Sequence, residues 1–224
     1  MSAVCVYCAS GPVDQPYLDL AAEVGRTLAE QGHVVVSGGG NISMMGALVN
    51  AAREAGGHTV GIIPRALMKH EVADLGSGEL VVTETMRERK RLMDERADGF
   101  ITLPGGIGTL EEFFEVWTWR QIGLHSTPIA LLDAPTESGD GFWQPLLSAL
   151  RGIYEAGFVS EASLSDVIVA PTLEAALDGA VGVLDVVGGK PVVTGEHVLP
   201  DVGGSGCSGL GHAHYCGTHC GHAD

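Results

Sequence analysis

Twice in this chain an apolar run of strand length ends in a glycine turn that passes directly into a helical pattern. The first run is Val34-Val35-Val36, followed by Ser37-Gly38-Gly39-Gly40-Asn41 and a helix from about Met44 to Ala55. The second is Gly99-Phe100-Ile101-Thr102-Leu103, followed by Pro104-Gly105-Gly106-Ile107-Gly108-Thr109-Leu110-Glu111-Glu112, with helical spacing from near Leu110. Strand, tight turn and helix in that order are the repeating unit of a parallel sheet with crossover helices. The same arrangement aims backbone N–H groups at whatever binds beside the helix N-terminus, and glycine keeps side chains out of the way. Thr109 stands where an N-cap would, and Glu112 falls three residues later, the spacing of a capping box. Glu112 therefore reads either as a helix cap or as a group with chemistry to do.

The rest of the chain repeats the alternation. Val4-Cys5-Val6-Tyr7 reads as a first strand, and Leu18, Ala21, Ala22, Val24 and Leu28 set a helical period over Tyr17 to Gln31 that closes at Gly32. Val60 to Pro64 and Glu79 to Thr83 are strands separated by an irregular polar segment, Arg65 to Gly78, that contains Glu71. A helix with Met86, Leu92, Met93 and Ala97 on its packing side carries Arg87, Arg89, Lys90 and Arg91. After the second glycine turn, Leu110 to Ile122 bears Phe113, Phe114, Val116, Trp117 and Trp119, apolar around more of its circumference than one sheet face needs. A second copy of the chain packed on that helix, in an isologous dimer, is the expectation. Ile129 to Leu132 (strand), Trp143 to Tyr154 (helix), Asp166 to Ala170 (strand) and Leu173 to Leu184 (helix) complete the pattern.

The predicted fold is α/β: Rossmann-like and doubly wound, with a mainly parallel sheet and helices on both faces. Ligands of such sheets bind outside the carboxyl ends of the strands. The loop after the first strand, with Ser10, leaves from such an end, as do the glycine turns with Gly39 and Gly40 and with Gly105, Gly106 and Gly108. These loops converge on one crevice.

Charge narrows the partners. The formal net charge is -16, which argues against general affinity for a nucleic acid polymer. Of 12 Lys and Arg, four lie between Arg87 and Arg91, either a solvated helix face or the neutralisation of a small anion. No leader-like segment and no apolar run of bilayer length is present, so a cytoplasmic protein without a membrane partner is expected. Cys5 and Cys8 sit three apart on a strand and so point to opposite faces, as core residues rather than a shared metal site. The texture changes near Gly188. Residues 1–187 read as one Rossmann-like domain and 188–224 as an extension whose last part, Gly203 to Asp224, is a flexible tail. Cys207, His212, His214, Cys216, His219, Cys220 and His222 in that tail are candidate ligands for zinc, copper or nickel, without the spacing of a strong zinc pattern.

Taken together, Pro104 to Glu112 (PGGxGTxxE in full) and Met86-Arg87-Glu88-Arg89-Lys90 resemble the Lonely-Guy family of cytokinin riboside 5'-monophosphate phosphoribohydrolases, often mislabelled lysine decarboxylases. Cys5 to Ser10, Ser37 to Gly40 and Trp117-Thr118-Trp119 match as well, and the resemblance spans roughly residues 3 to 185. It implies Arg89 and Glu112 as the catalytic pair. Lys90, the stretch Gly105, Gly106, Ile107, Gly108, Thr109, Leu110 and Glu111, together with Thr118 and Glu71, fall on positions that bind a nucleoside monophosphate. The implied reaction releases a free base, such as an N6-modified adenine, and ribose 5-phosphate, with no cofactor. Arg87 departs from the family's usual histidine, and the tail lies outside its pattern. Two other readings stand beside this one: a non-catalytic carrier of a nucleotide or molybdopterin-type cofactor on the same fold, and a metal-responsive role for the tail.

Overall fold

A computed structural model describes residues 1–181 of the chain. The tail ligand candidates and the boundary expected near residue 188 lie outside the described residues. Seven strands form one sheet: β1 (Ala3–Tyr7), β2 (Val34–Ser37), β3 (Thr59–Pro64), β4 (Glu79–Thr83), β5 (Gly99–Thr102), β6 (Ile129–Leu132) and β7 (Val167–Ala170). Their order is β4-β3-β2-β1-β5-β6-β7, and every pairing is parallel. The order reverses at β1, which lies between β2 and β5. That is the switch point of a doubly wound sheet, where the two halves of the crossover pattern part and leave a crevice.

Strand alternation sorts side chains to two cores. Val4 and Val6 join one cluster with Ala21, Val24 and Leu28 of α1 (Gln15–Glu30), Leu48 of α2 (Ser43–Glu54) and Leu177 of α7 (Leu173–Val181). Cys5 and Tyr7 join the other. There they meet Met93 of α3 (Met86–Glu95), Phe113 and Trp117 of α4 (Ile107–Gln121), and Leu147 and Leu150 of α5 (Gln144–Glu155). Cys5 and Cys8 fall in opposite clusters, both as free thiols, as their spacing required. Both faces of the sheet are thus covered, which a parallel sheet with near-continuous apolar strands demands.

Two elements differ from the sequence reading. The helix after the second glycine turn begins at Ile107, with Gly106 as an extended N-cap (φ -97°, ψ -155°) and no side-chain cap. Thr109 and Glu112 are therefore inside the helix, and the capping-box reading of Glu112 fails. The apolar period placed the start too late because the first turn, Ile107-Gly108-Thr109, has little to bury. A reciprocal cap exists one helix earlier: the Thr85 hydroxyl accepts from the Glu88 amide at 3.1 Å, and the Glu88 carboxylate accepts from the Glu84 amide at 3.0 Å. The second difference is a five-residue helix, α6 (Glu161–Ser165), capped by Ser160 and too short to show a period in the sequence.

No described helix is long and apolar enough to cross a membrane. Among the described residues no three His, Cys, Asp or Glu side chains gather into a metal-binding group.

Candidate active site

A crevice of about 320 Å³ opens at the carboxyl ends of the central strands. Its walls are the loop after β1 (Cys8 to Val13), Gly38 after β2, Glu71 after β3, Arg89 and Met93 of α3, and Gly106, Gly108, Thr109 and Glu112 of α4. Of the residues expected from sequence, Ser10, Glu71, Arg89, Gly106, Gly108, Thr109 and Glu112 meet here. Val6, Cys8 and Gly38, which fall in the matching stretches Cys5 to Ser10 and Ser37 to Gly40, also line it, as do Val13 and Met45, which carried no signal in the sequence.

At the floor, Arg89 Nη2 lies 3.4 Å from Glu112 Oε1, with both side chains almost fully buried. Three constraints hold the guanidinium in place. Its Nε donates to the Ile62 carbonyl at 3.2 Å, the Arg89 amide is bonded within the first turn of α3 to Thr85, and Gly38 faces the guanidinium with no side chain. A Cβ at position 38 would sit well inside contact distance of Arg89 Nη2. Burial pushes the Glu112 carboxyl up to about 7; Arg89 opposes the shift, while Glu111 and Glu71 add to it. Desolvation outweighs the ion pair here. The result is a carboxyl poised to change charge near neutral pH, at the base of a cleft, which is where such shifts usually serve chemistry.

Glu71 lines the same crevice, close enough to Arg89 to feel its charge. Burial raises its carboxyl also, with Arg89 opposing. Oε2 of Glu71 is buried without a hydrogen-bond partner. The Cys8 thiol in the crevice wall is held protonated by burial, with Glu112 contributing, and so is no nucleophile.

Above the floor, the first turn of α4 presents amide groups with no side-chain cap from Gly106 onward. These orphan donors and the helix dipole make an anion site.

Other expected residues stand apart from the crevice. Gly39, in the left-handed region (φ 76°), packs on Ile62 and Ile63, and Gly40 packs on Met45 and Glu71. Gly105 packs on the Thr109 side chain. Leu110 is partly buried against the α3–α4 side of the core, and Ile107 is 88% exposed. Lys90 is bound by Glu111 and Glu115, which outweigh its burial and raise its pKa. The exposed Thr118 hydroxyl donates to the Phe114 carbonyl at 2.6 Å. Arg87 is exposed on α3.

Comparison with known proteins adds an independent line. The family model described as "Possible lysine decarboxylase" matches residues 45–179. The chain is 45% identical over 174 residues to a cytokinin riboside 5'-monophosphate phosphoribohydrolase of Mycobacterium tuberculosis, covering 78% of this chain and 90% of that one. It is 43% identical over 170 residues to the phosphoribohydrolase LOG of Oryza sativa subsp. japonica, covering 75% and 68%. Among solved structures, the molybdenum cofactor binding protein from Rippkaea orientalis aligns with a TM-score of 0.59 at 22% identity, over 79% of this chain and 93% of that one. At that identity the likeness is one of fold.

Proposed function

The chain belongs to the Lonely-Guy family of cytokinin riboside 5'-monophosphate phosphoribohydrolases, and from that premise we propose that it hydrolyses the N-glycosidic bond of adenosine 5'-monophosphates, N6-modified ones included. The observation that carries the reading is the buried Arg89–Glu112 pair, 3.4 Å apart, beneath an uncapped glycine helix start in one crevice. The 5'-phosphate is taken by the amides of Gly106, Gly108 and Thr109. The ribose then lies over Glu112, whose carboxylate faces the positive charge that develops on the sugar as the bond breaks. Arg89, tied to Ile62 and Glu112, is a fixed cation that orients this carboxylate and favours its ionised form against burial.

The description "possible lysine decarboxylase" finds no support in these residues. Pyridoxal-phosphate chemistry runs through a lysine imine, and among the described residues no lysine lines the crevice; Lys90 is engaged by two glutamates. We further propose an isologous dimer through the exposed end of α4 at Ile122 and Leu124; sedimentation of a monomer at micromolar concentration would exclude it.

The deciding experiment follows base release by chromatography from AMP, isopentenyl-AMP and their unphosphorylated nucleosides. Release is expected from the monophosphates alone. It should fall about 10²- to 10³-fold in Glu112→Gln, the loss typical of one electrostatic transition-state contact. Full activity in both Glu112→Gln and Arg89→Ala would refute the assignment. Tight retention of nucleotide without turnover would instead mark a carrier.

A further inference from the structure

The loop from Arg65 to Gly78, which the sequence shows only as irregular and polar, is clamped in place at some cost. The Asn41 amide donates to the carbonyls of Glu71 (3.0 Å) and Val72 (2.9 Å), Asp74 donates to the Gly39 carbonyl (2.9 Å), and Gly40 bridges Ala73. Arg53 of α2 reaches across at 2.5 Å to Asp74, whose side chain is fully buried. Gly40 leaves room for Glu71: a Cβ there would come within 3.1 Å of Glu71 Cβ and its carbonyl oxygen. Next to Glu71, the β-branched Val72 is held at φ 47°, a left-handed conformation that is strained for such a side chain. All this places one carboxylate over the crevice with an orphaned buried oxygen. Strain and an unsatisfied acceptor at the same point are the signature of a group held for a ligand rather than for the fold.

Resting on the function proposed above, we infer that Glu71 is a second catalytic carboxyl, the donor of the proton that the departing base requires. Breaking the C1'–N9 bond sends its electron pair to the purine, which leaves readily only if a ring nitrogen is protonated. With the phosphate at the α4 N-terminus and the ribose over Glu112, the base reaches Glu71, which lines the same crevice. Glu71 gives its proton to the base as the bond breaks, and Glu112 faces the ribosyl cation. Water adds to C1', its proton returns to the Glu71 carboxylate, and the products are free base and ribose 5-phosphate. Arg89 favours the charged form of both carboxyls but makes its contact with Glu112, at 3.4 Å, while a bound base removes Glu71 from water and favours its neutral form. Glu112, Arg89 and Cys8 are the titratable and charged groups lining the crevice with Glu71.

The test measures kcat for AMP, 2-chloro-AMP and 2-fluoro-AMP, whose electron-withdrawing halogens make the base a better leaving group that needs less proton donation. In Glu71→Gln, kcat for AMP should fall about 10²- to 10³-fold, within the range of general-acid catalysis. The loss should shrink at least tenfold with the fluorinated substrate. Glu71→Asp should restore part of the AMP rate. Equal loss on all three substrates, or a change in KM alone with an unaltered melting temperature, would overturn the assignment of Glu71 and leave the hydrolase standing. Wild-type protein that releases base from none of the three would overturn the hydrolase and this inference together.

Discussion

Glu112 is a carboxyl that burial would keep neutral, and the proposed reaction needs it charged. Its pKa rises from the ordinary 4.5 to about 7 because burial outweighs the ion pair with Arg89. The folded protein therefore holds a proton between pH 4.5 and 7 that the unfolded chain releases. The stability this confers is complete below 4.5 and is lost as pH rises through 7, on the order of 3 kcal/mol for a shift of this size. Wild-type protein should thus lose melting temperature between pH 5 and 8 relative to Glu112→Gln, which has no such proton. Over the same range kcat should climb, since only the anion faces the ribosyl charge. A flat difference in melting temperature would show that Glu112 is not the group titrating. The identity of Glu112 and Arg89 was readable from their motifs, but the residues that seat them were not. Gly38 seemed interchangeable with Gly39 and Gly40 until Arg89, 51 positions later, was seen to fill the space beside it. Lys90 and Thr118 differ in the other direction, close to Arg89 and Glu112 in sequence but outside the lining of the crevice. Successive helix residues turn by about 100°, so the neighbour of a crevice residue points elsewhere.

Helices α1 and α2 pack on the same face and make their closest approach at Gly25, where an added Cβ would run into the Leu48 carbonyl backbone. Backbone cannot rotate aside as a side chain can. Gly25→Ala should therefore destabilise the protein by about 1–3 kcal/mol, the usual range for overpacking, despite alanine's better helix propensity. Chemical denaturation should find it there; a stabilised variant would mean that the helices can slide apart freely. This contact also locates α2, and with it Arg53, which pins the loop carrying Glu71. Elements of this kind were largely legible because alternation and helical period are strong in α1, α2, α3 and the strands. The start of α4 was misread since a glycine turn makes a helix begin by conformation alone, without burial to announce it. The clamped loop was opaque for a related reason: its order comes from bonds to residues 39–41, contacts that local pattern does not encode.

The whole molecule carries a net charge of -16, and its proposed substrate is an anion. At low ionic strength the protein's field repels the nucleotide at long range, even though the amides of α4 attract it at contact. Salt screens the former more than the latter. Consequently kcat/KM should rise as sodium chloride goes from about 20 to 150 mM, with kcat nearly constant; a steady fall would mean that local positive potential governs capture. The placement of β1 has a different consequence, in the order of synthesis. The strand at residues 3–7 is made before the other six described strands, yet it belongs in the middle of the sheet, and its partner on one edge, β5, begins only at Gly99. A nascent chain carries that edge unpaired while nearly a hundred residues follow. Parallel pairing over such separations is slow and leaves strands open to wrong partners, so the step that completes the crevice coincides with the end of the chain's most vulnerable period on the ribosome.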